Sequence, residues 1–236
     1  MSSVASLREH LVEELNDLLS AEQQLVEALP MLADHATNRD LKTAFRKHLA
    51  ETRTHERRIT KALRQLGERA TGGTCEAMAG LLTEGQALMA STDGGALRDA
   101  MIITAAQKVE HYEIATYGTV RTYARVLGER GVAALLDQTL REEKAADRKL
   151  TAIAEAGINR KASNEWHEQA AASMLEHGAE IVGAAVGSGI KTIRRALPDR
   201  RTMNQAMRTV RSTLQAAAAD RRPRRRRAGS RARKAR

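Results

Sequence analysis

"AAQKVEHYEIATYG", residues 105–118, reads as helix. Around it Ile103, Ala106, Tyr117, Val120, Ala124 and Leu127 recur at helical spacing, which marks one buried face. Glu110 and Glu113 fall on that same face. A carboxylate alone in an apolar core costs several kcal/mol and would take up a proton rather than stay charged. Two of them need either solvent or a partner.

Three other long segments repeat the pattern. In the first, Leu11, Leu15, Leu18, Leu25, Leu29 and Leu32 step by three and four, with Glu22 filling the one gap. The second runs from about Asp40 to Leu66, with Leu41, Phe45, Ile59 and Leu66 on its seam and His48, Glu51, Thr52 and His55 in the middle. The third contains the stretch quoted above, starting after "DGG" at 93–95 and ending near Gly128. The fourth begins near Gly131, where Leu136, Leu140, Leu150 and Ile153 or Ala154 flank Glu143 and Asp147. Each seam is apolar at both ends and polar near mid-length. Helices of roughly 25 to 30 residues are about 40 Å long, so side-by-side packing brings the polar positions into one layer.

The connections set the topology. "DHATNRD" and "GERG" are short and make two antiparallel hairpins. The link from Gly67 to Gly95 is long and carries "CEAMAGLLTEGQALMAS", which reads as a short helix. The expected fold is all-α: a ferritin-like four-helix bundle of two hairpins joined by one long crossover, occupying residues 1–157. Pro30, late in the first helix, is expected to kink it. A weakly ordered helical extension is expected over 158–220 and a disordered Arg-rich tail over 221–236.

Glu22, Glu51, Glu110, Glu113, Glu143 and Asp147 at one depth would repel one another without cations. Two divalent ions neutralise four of these charges, and bridging carboxylates would hold them close together. Glu51 and His55 are four residues apart, Glu110 and Glu113 three, Glu143 and Asp147 four, so each pair shares a helix face. Oxygen ligands with one or two imidazoles suit two iron ions, or manganese, better than zinc. The competing reading is a core of Glu paired with Arg or Lys, without metal. His55 is preferred as a ligand beside Glu51. His48 and Tyr117 are read as supporting residues around the ligands, and His111 as structural. Glu142, off the seam, is read as a surface acid. Cys75 reads as an ordinary thiol ahead of a helix.

The blocks "DLLSAEQQLVEALPML", "KHLAETRTHERRI", "CEAMAGL", "AAQKVEHYEIATYG" and "REEKAADRKL" resemble the YciE/YciF-type ferritin-like stress proteins. The resemblance spans about Leu7 to Glu155. It implies a four-helix ferritin-like bundle, a homodimer and a link to stress responses. More distantly the layout is similar to rubrerythrin-type di-iron proteins, whose motif is Glu, Glu-x-x-His, Glu-x-x-Glu, Glu-x-x-His. Glu22, Glu51, Glu110 with Glu113, and Glu143 match its carboxylates. The second-helix His comes one position late, at His55, or stands three residues before Glu51, at His48. The fourth helix has no His, and Asp147 stands in that region instead. The rubredoxin-like cysteine module is absent, since Cys75 is the only cysteine.

Charge divides the chain. The 236 residues carry +10, and 221–236 alone hold Arg221, Arg222, Arg224, Arg225, Arg226, Arg227, Arg231, Arg233, Lys234 and Arg236 with no acid. The remainder is neutral overall. A block so dense in one sign binds polyanions through phosphate charge, without aromatic stacking or base readout. DNA is the default partner; RNA, an acidic membrane surface or a role in solubility are the alternatives. No apolar run reaches the roughly 20 residues that cross a bilayer. The N-terminus does not read as a secretory signal, and one cysteine fits a reducing compartment. A cytoplasmic protein, in one reading associated with the nucleoid, is the expectation.

Overall fold

The computed structural model describes residues 5–165. Five α-helices follow in order: α1 Leu7–His35, α2 Arg39–Gln65, α3 Glu76–Ala90, α4 Gly95–Val126 and α5 Arg130–Ile153, then a π-helical turn Ala154–Ile158. Among the described residues no helix is long and apolar enough to cross a membrane.

Local chemistry fixes the helix ends. The Ser6 hydroxyl accepts from Glu9 N at 3.1 Å, and Asn38 Oδ1 accepts from Asp40 N and Leu41 N at 2.9 and 3.1 Å. Both are N-caps that satisfy otherwise orphaned amides. α2 and α4 end alike: Gly67 and Gly128 take φ of 76° and 80°. Glu68 N donates to Leu63 O at 2.9 Å, and Glu129 N to Ala124 O at 2.8 Å. This closes each helix with a left-handed residue that only glycine adopts freely. α1 continues through Pro30 to His35 as one helix, with the proline on its exposed side.

α1 and α2 form one antiparallel hairpin and α4 and α5 the other. α1 lies against α4, and α2 against α5, while α3 packs across α4 and α1. Asp99, at the start of α4 and buried, accepts from Thr37 N at 2.6 Å and Asn38 N at 2.8 Å, tying the first turn to the second hairpin. Gly85 lets α3 close onto α4, since a Cβ there would meet Ala105 Cβ at 3.2 Å.

The bundle holds two apolar clusters, one toward each end. Leu25, Leu29, Phe45, Met78, Ile102 and Leu150 belong to one. Leu11, Leu15, Ile59, Leu63, Val120 and Leu136 belong to the other. Each fully buried side chain of this kind contributes about 1.5–3 kcal/mol. Together they carry the cost of the polar layer between them.

Beyond Gly157, where a helical extension is expected, the chain is helical over 159–165. Glu165 accepts from Ala96 N at 3.0 Å and Leu97 N at 3.2 Å. It thereby supplies the N-terminal cap that Gly94 lacks. The remainder of the expected extension, with Trp166, Met203, Met207, Val210 and Leu214, and the basic tail from Arg221 to Arg236 lie outside the described residues.

Candidate metal centre

The layer between the apolar clusters draws on four helices. α1 contributes Glu22, α2 His48 and His55, α4 Glu110 and Glu113, and α5 Glu143. Glu22, His55, Glu113 and Glu143 are 0 % exposed, and Glu110 and His48 are buried. The helical period delivers them: Glu22 replaces one Leu of its seam, and His48 and His55 are two turns apart on one face.

Two groups of side chains converge. Ligand-capable atoms of His48, Glu110, Glu113 and Glu143 lie within 4.8 Å of one another, and so do those of Glu22, His55 and Glu143. Two donors opposed across one ion would stand about 4 Å apart, so either group can close on a cation with small shifts. Glu143 belongs to both. His48 Nε2 is 3.3 Å from Glu110 Oε1 and 3.7 Å from Glu143 Oε2. His55 Nδ1 is 2.7 Å from Glu143 Oε1 and 3.5 Å from Glu22 Oε1. Tyr117, also fully buried, donates its hydroxyl hydrogen to Glu22.

Polar atoms in this layer outnumber their partners. Both oxygens of Glu113, both of Glu143, one each of Glu22 and Glu110, and Nδ1 of His48 have no hydrogen-bond partner among the described residues. Even at 2.7 Å, His55 Nδ1 and Glu143 do not meet in hydrogen-bond geometry. Atoms that crowd without bonding fit a shared cation better than a proton. Four carboxylates also balance two divalent ions, and four carboxylates with two imidazoles form the donor set of di-iron and di-manganese bundles. Here both imidazoles come from α2.

Electrostatics points the same way. Burial pushes the carboxyls of Glu22 and Glu113 above the usual range, with His55 opposing this at Glu22 and the carboxylates of Glu143, Glu22 and Glu110 adding to it at Glu113. Burial likewise holds Glu110 up at about 8, although His48 pulls it down. Burial disfavours charge on the imidazoles, but the carboxylates around them prevail: His48 rises to about 9, beside Glu110, Glu51 and Glu143, and His55 to about 11, beside Glu143 and Glu22. Without a cation, protons have to neutralise this layer.

The remaining sequence candidates stand at its edge. Glu51, whose side chain is 29 % exposed, takes Lys47 Nζ at 2.8 Å and lies 3.7 Å from His48 Nδ1. The His48 contact, opposed by burial and helped by Lys47, holds its carboxyl down at about 2. Asp147, 21 % exposed, accepts from Gln107 Nε2 at 3.0 Å and lies 3.4 Å from His111, which faces solvent. Neither Glu51 nor Asp147 is in the two convergent groups. His48, read from sequence as a supporting residue, is in one of them. Glu142, read as a surface acid, binds His55 Nε2 at 2.8 Å and Arg58. The sequence signal for it was faint: Arg58 follows His55 by one turn on the same face. Cys75 is buried, with Sγ 3.0 Å from the Tyr112 hydroxyl.

A cavity of about 780 Å³ opens between α2 and α5. Ala44, Ala145 and Ala146 leave the space, Phe45 and Leu150 line it, and His48 and Glu110 form part of its wall. It connects solvent with one of the two groups.

Residues 6–163 match a family model described as "Domain of unknown function (DUF892)". The chain belongs to the DUF892 family. Protein YciF of Escherichia coli K12 is 43 % identical over 164 residues, which cover 69 % of this chain and 99 % of that protein. The crystal structure of the E. coli stress protein YciF superposes with a TM-score of 0.65 at 43 % identity, covering 67 % of this chain and 100 % of that one. YcfI from Rhodopseudomonas palustris gives 0.62 at 37 % identity, over 64 % of this chain and 96 % of its own. A dodecameric thioferritin from Bacteroides fragilis gives 0.53 at 15 % identity, over 66 % and 90 %. That likeness shows the fold alone: this DUF892 chain is a ferritin-like helical bundle.

Proposed function

We propose that this chain is a di-metal stress-protection protein that binds two iron ions, with manganese the alternative, in the layer between its apolar clusters. Glu22, His55 and Glu143 hold one ion. His48, Glu110, Glu113 and Glu143 hold the other, with Glu143 between them. Glu51 and Asp147 support this shell from its edge, and Tyr117 keeps Glu22 in place. The observation that carries the reading is the set of buried carboxylate oxygens without a hydrogen-bond donor. Bound iron would supply electrons to oxygen or peroxide. The chain's own part is to exclude water at Glu113 and Glu143, to admit ion and oxidant along the α2–α5 cavity, and to release the proton of Glu110 as the ion binds.

The ferritin-like bundle and the likeness to a protein described as a stress protein support a protective role. In that role the protein is a cytoplasmic homodimer that consumes ferrous ion and peroxide. A second reading is favoured by the arginine-rich end: a non-catalytic bundle that binds nucleic acid through residues 221–236, at the nucleoid. Metal analysis after anaerobic reconstitution with ferrous ion, followed by ferrous oxidation kinetics, separates them. Two ions per chain and oxidation faster than in buffer support the first. Less than about one ion per chain, with the fold intact, leaves only the second.

A further inference from the structure

Glu142 sits one residue outside the seam, but its bonds connect it to the centre. His55 places Nε2 on Glu142 Oε2 at 2.8 Å and points Nδ1 at Glu143 and Glu22. An imidazole whose outer nitrogen is held has its inner nitrogen aimed. Glu142 is itself held. Arg58 Nη2 donates to its Oε1 at 3.1 Å and Nη1 to its Oε2, a two-pronged grip of planar on planar group. Arg58 Nη1 also donates to Thr139 Oγ1 at 3.2 Å, one turn back along α5. The chain of contacts thus runs from α5 to α2, back to α5, and into the ring of His55.

The other imidazole has no such brace. His48 Nδ1 has Glu51 at 3.7 Å, beyond hydrogen-bond distance, and Lys47 takes that carboxylate at 2.8 Å. His48 also lines the open cavity, whereas Glu22, His55 and Glu143 do not. The two ion positions are therefore built to different standards.

We propose that Glu142, gripped by Arg58, is the positioning residue for the ion held by Glu22, His55 and Glu143, and that it makes this the tighter of the two positions. The proposal rests on the di-metal reading above. A carboxylate on the far nitrogen of a ligating imidazole fixes the ring and raises its basicity, and its loss typically costs about 10–100-fold in metal affinity.

The test is calorimetric titration of the full chain with manganous ion, which binds such sites without being oxidised by air on the timescale of the titration. Wild type should show two steps of unequal affinity. Glu142→Ala should weaken the tight step by about 10–100-fold and leave the weak step in place. Arg58→Ala should act in the same direction by less. His48→Ala should remove the weak step and keep the tight one. A merely structural role for Glu142 would loosen both steps together, and that result overturns the proposal; so does an unchanged tight step in both Glu142→Ala and Arg58→Ala. Wild type that binds no manganese or ferrous ion removes the di-metal reading and this proposal together. Two wild-type steps whose affinities Glu142→Ala leaves unchanged remove this proposal alone.

Discussion

His48 and His55 share one carboxylate: Glu143 brings one oxygen to 2.7 Å from His55 and the other to 3.7 Å from His48. The two rings, seven residues apart on α2, have centroids 6.3 Å apart. No other side chain belongs to both convergent groups. Glu143→Ala should therefore take bound metal from two ions per chain to none, while Glu22→Ala and Glu110→Ala each remove one. Elemental analysis after reconstitution reads the difference. Two ions retained in Glu143→Ala would show that the groups are independent.

Glu113, like Glu143, has neither oxygen hydrogen-bonded among the described residues, but Glu143 has His55 Nδ1 at 2.7 Å and His48 Nε2 at 3.7 Å beside it. Glu113→Met keeps the volume and removes the desolvation cost. The metal-free variant should gain about 1–3 kcal/mol in stability by denaturant unfolding and bind metal more weakly. A destabilised metal-free variant would mean that the carboxyl has a partner in solution.

The metal-free fold should weaken as pH rises. His48, raised to about 9, and His55, raised to about 11, contribute stability that is complete below the ordinary imidazole value of 6.5 and lost as pH climbs through those values. Glu110 has the same sign: held at about 8 instead of 4.5, it keeps a proton that the unfolded chain has released, so stability falls across that interval. Ion binding displaces these protons, so its stabilising effect grows with pH. Scanning calorimetry from about pH 6 to pH 9 should show Tm falling without metal and falling less, or rising, with manganous ion present. A metal-free Tm that rises over this range contradicts the assignment.

Removing residues 221–236 should abolish DNA retardation at low salt and leave the bundle's melting unchanged. The ten cations of residues 221–236 allow a slope of log affinity against log salt no steeper than about −9. Retardation that survives truncation assigns the contact to another surface.

Much of this could be read along the chain because the deciding signals are local. Helical period and apolar spacing depend on neighbours within two turns, and they located α1, α2, α4 and α5 to within a few residues. The gap at Glu22 and the carboxylates Glu110, Glu113 and Glu143 stood out for the same reason: a charge on an apolar stripe conflicts with its own helix whatever lies opposite.

The flanks of each seam were not legible. On α2, His48 and His55 point nearly the same way, and Glu51 lies about 60° around the helix from His48. In sequence all three lie in the middle of the α2 seam. The positions of α1 and α5 decided that the imidazoles face inward while Glu51 meets Lys47 at the rim. Glu142 shows the converse: adjacent to Glu143 and about 100° away from it, it leaves the seam, yet reaches His55 because Arg58 crosses from α2 to hold it. By itself the sequence determined a four-helix bundle with buried carboxylates at one depth, since periodicity and desolvation act within each helix. Only the tertiary structure decided which imidazoles join them and which acid steadies one of those rings, since that depends on what the neighbouring helix places opposite.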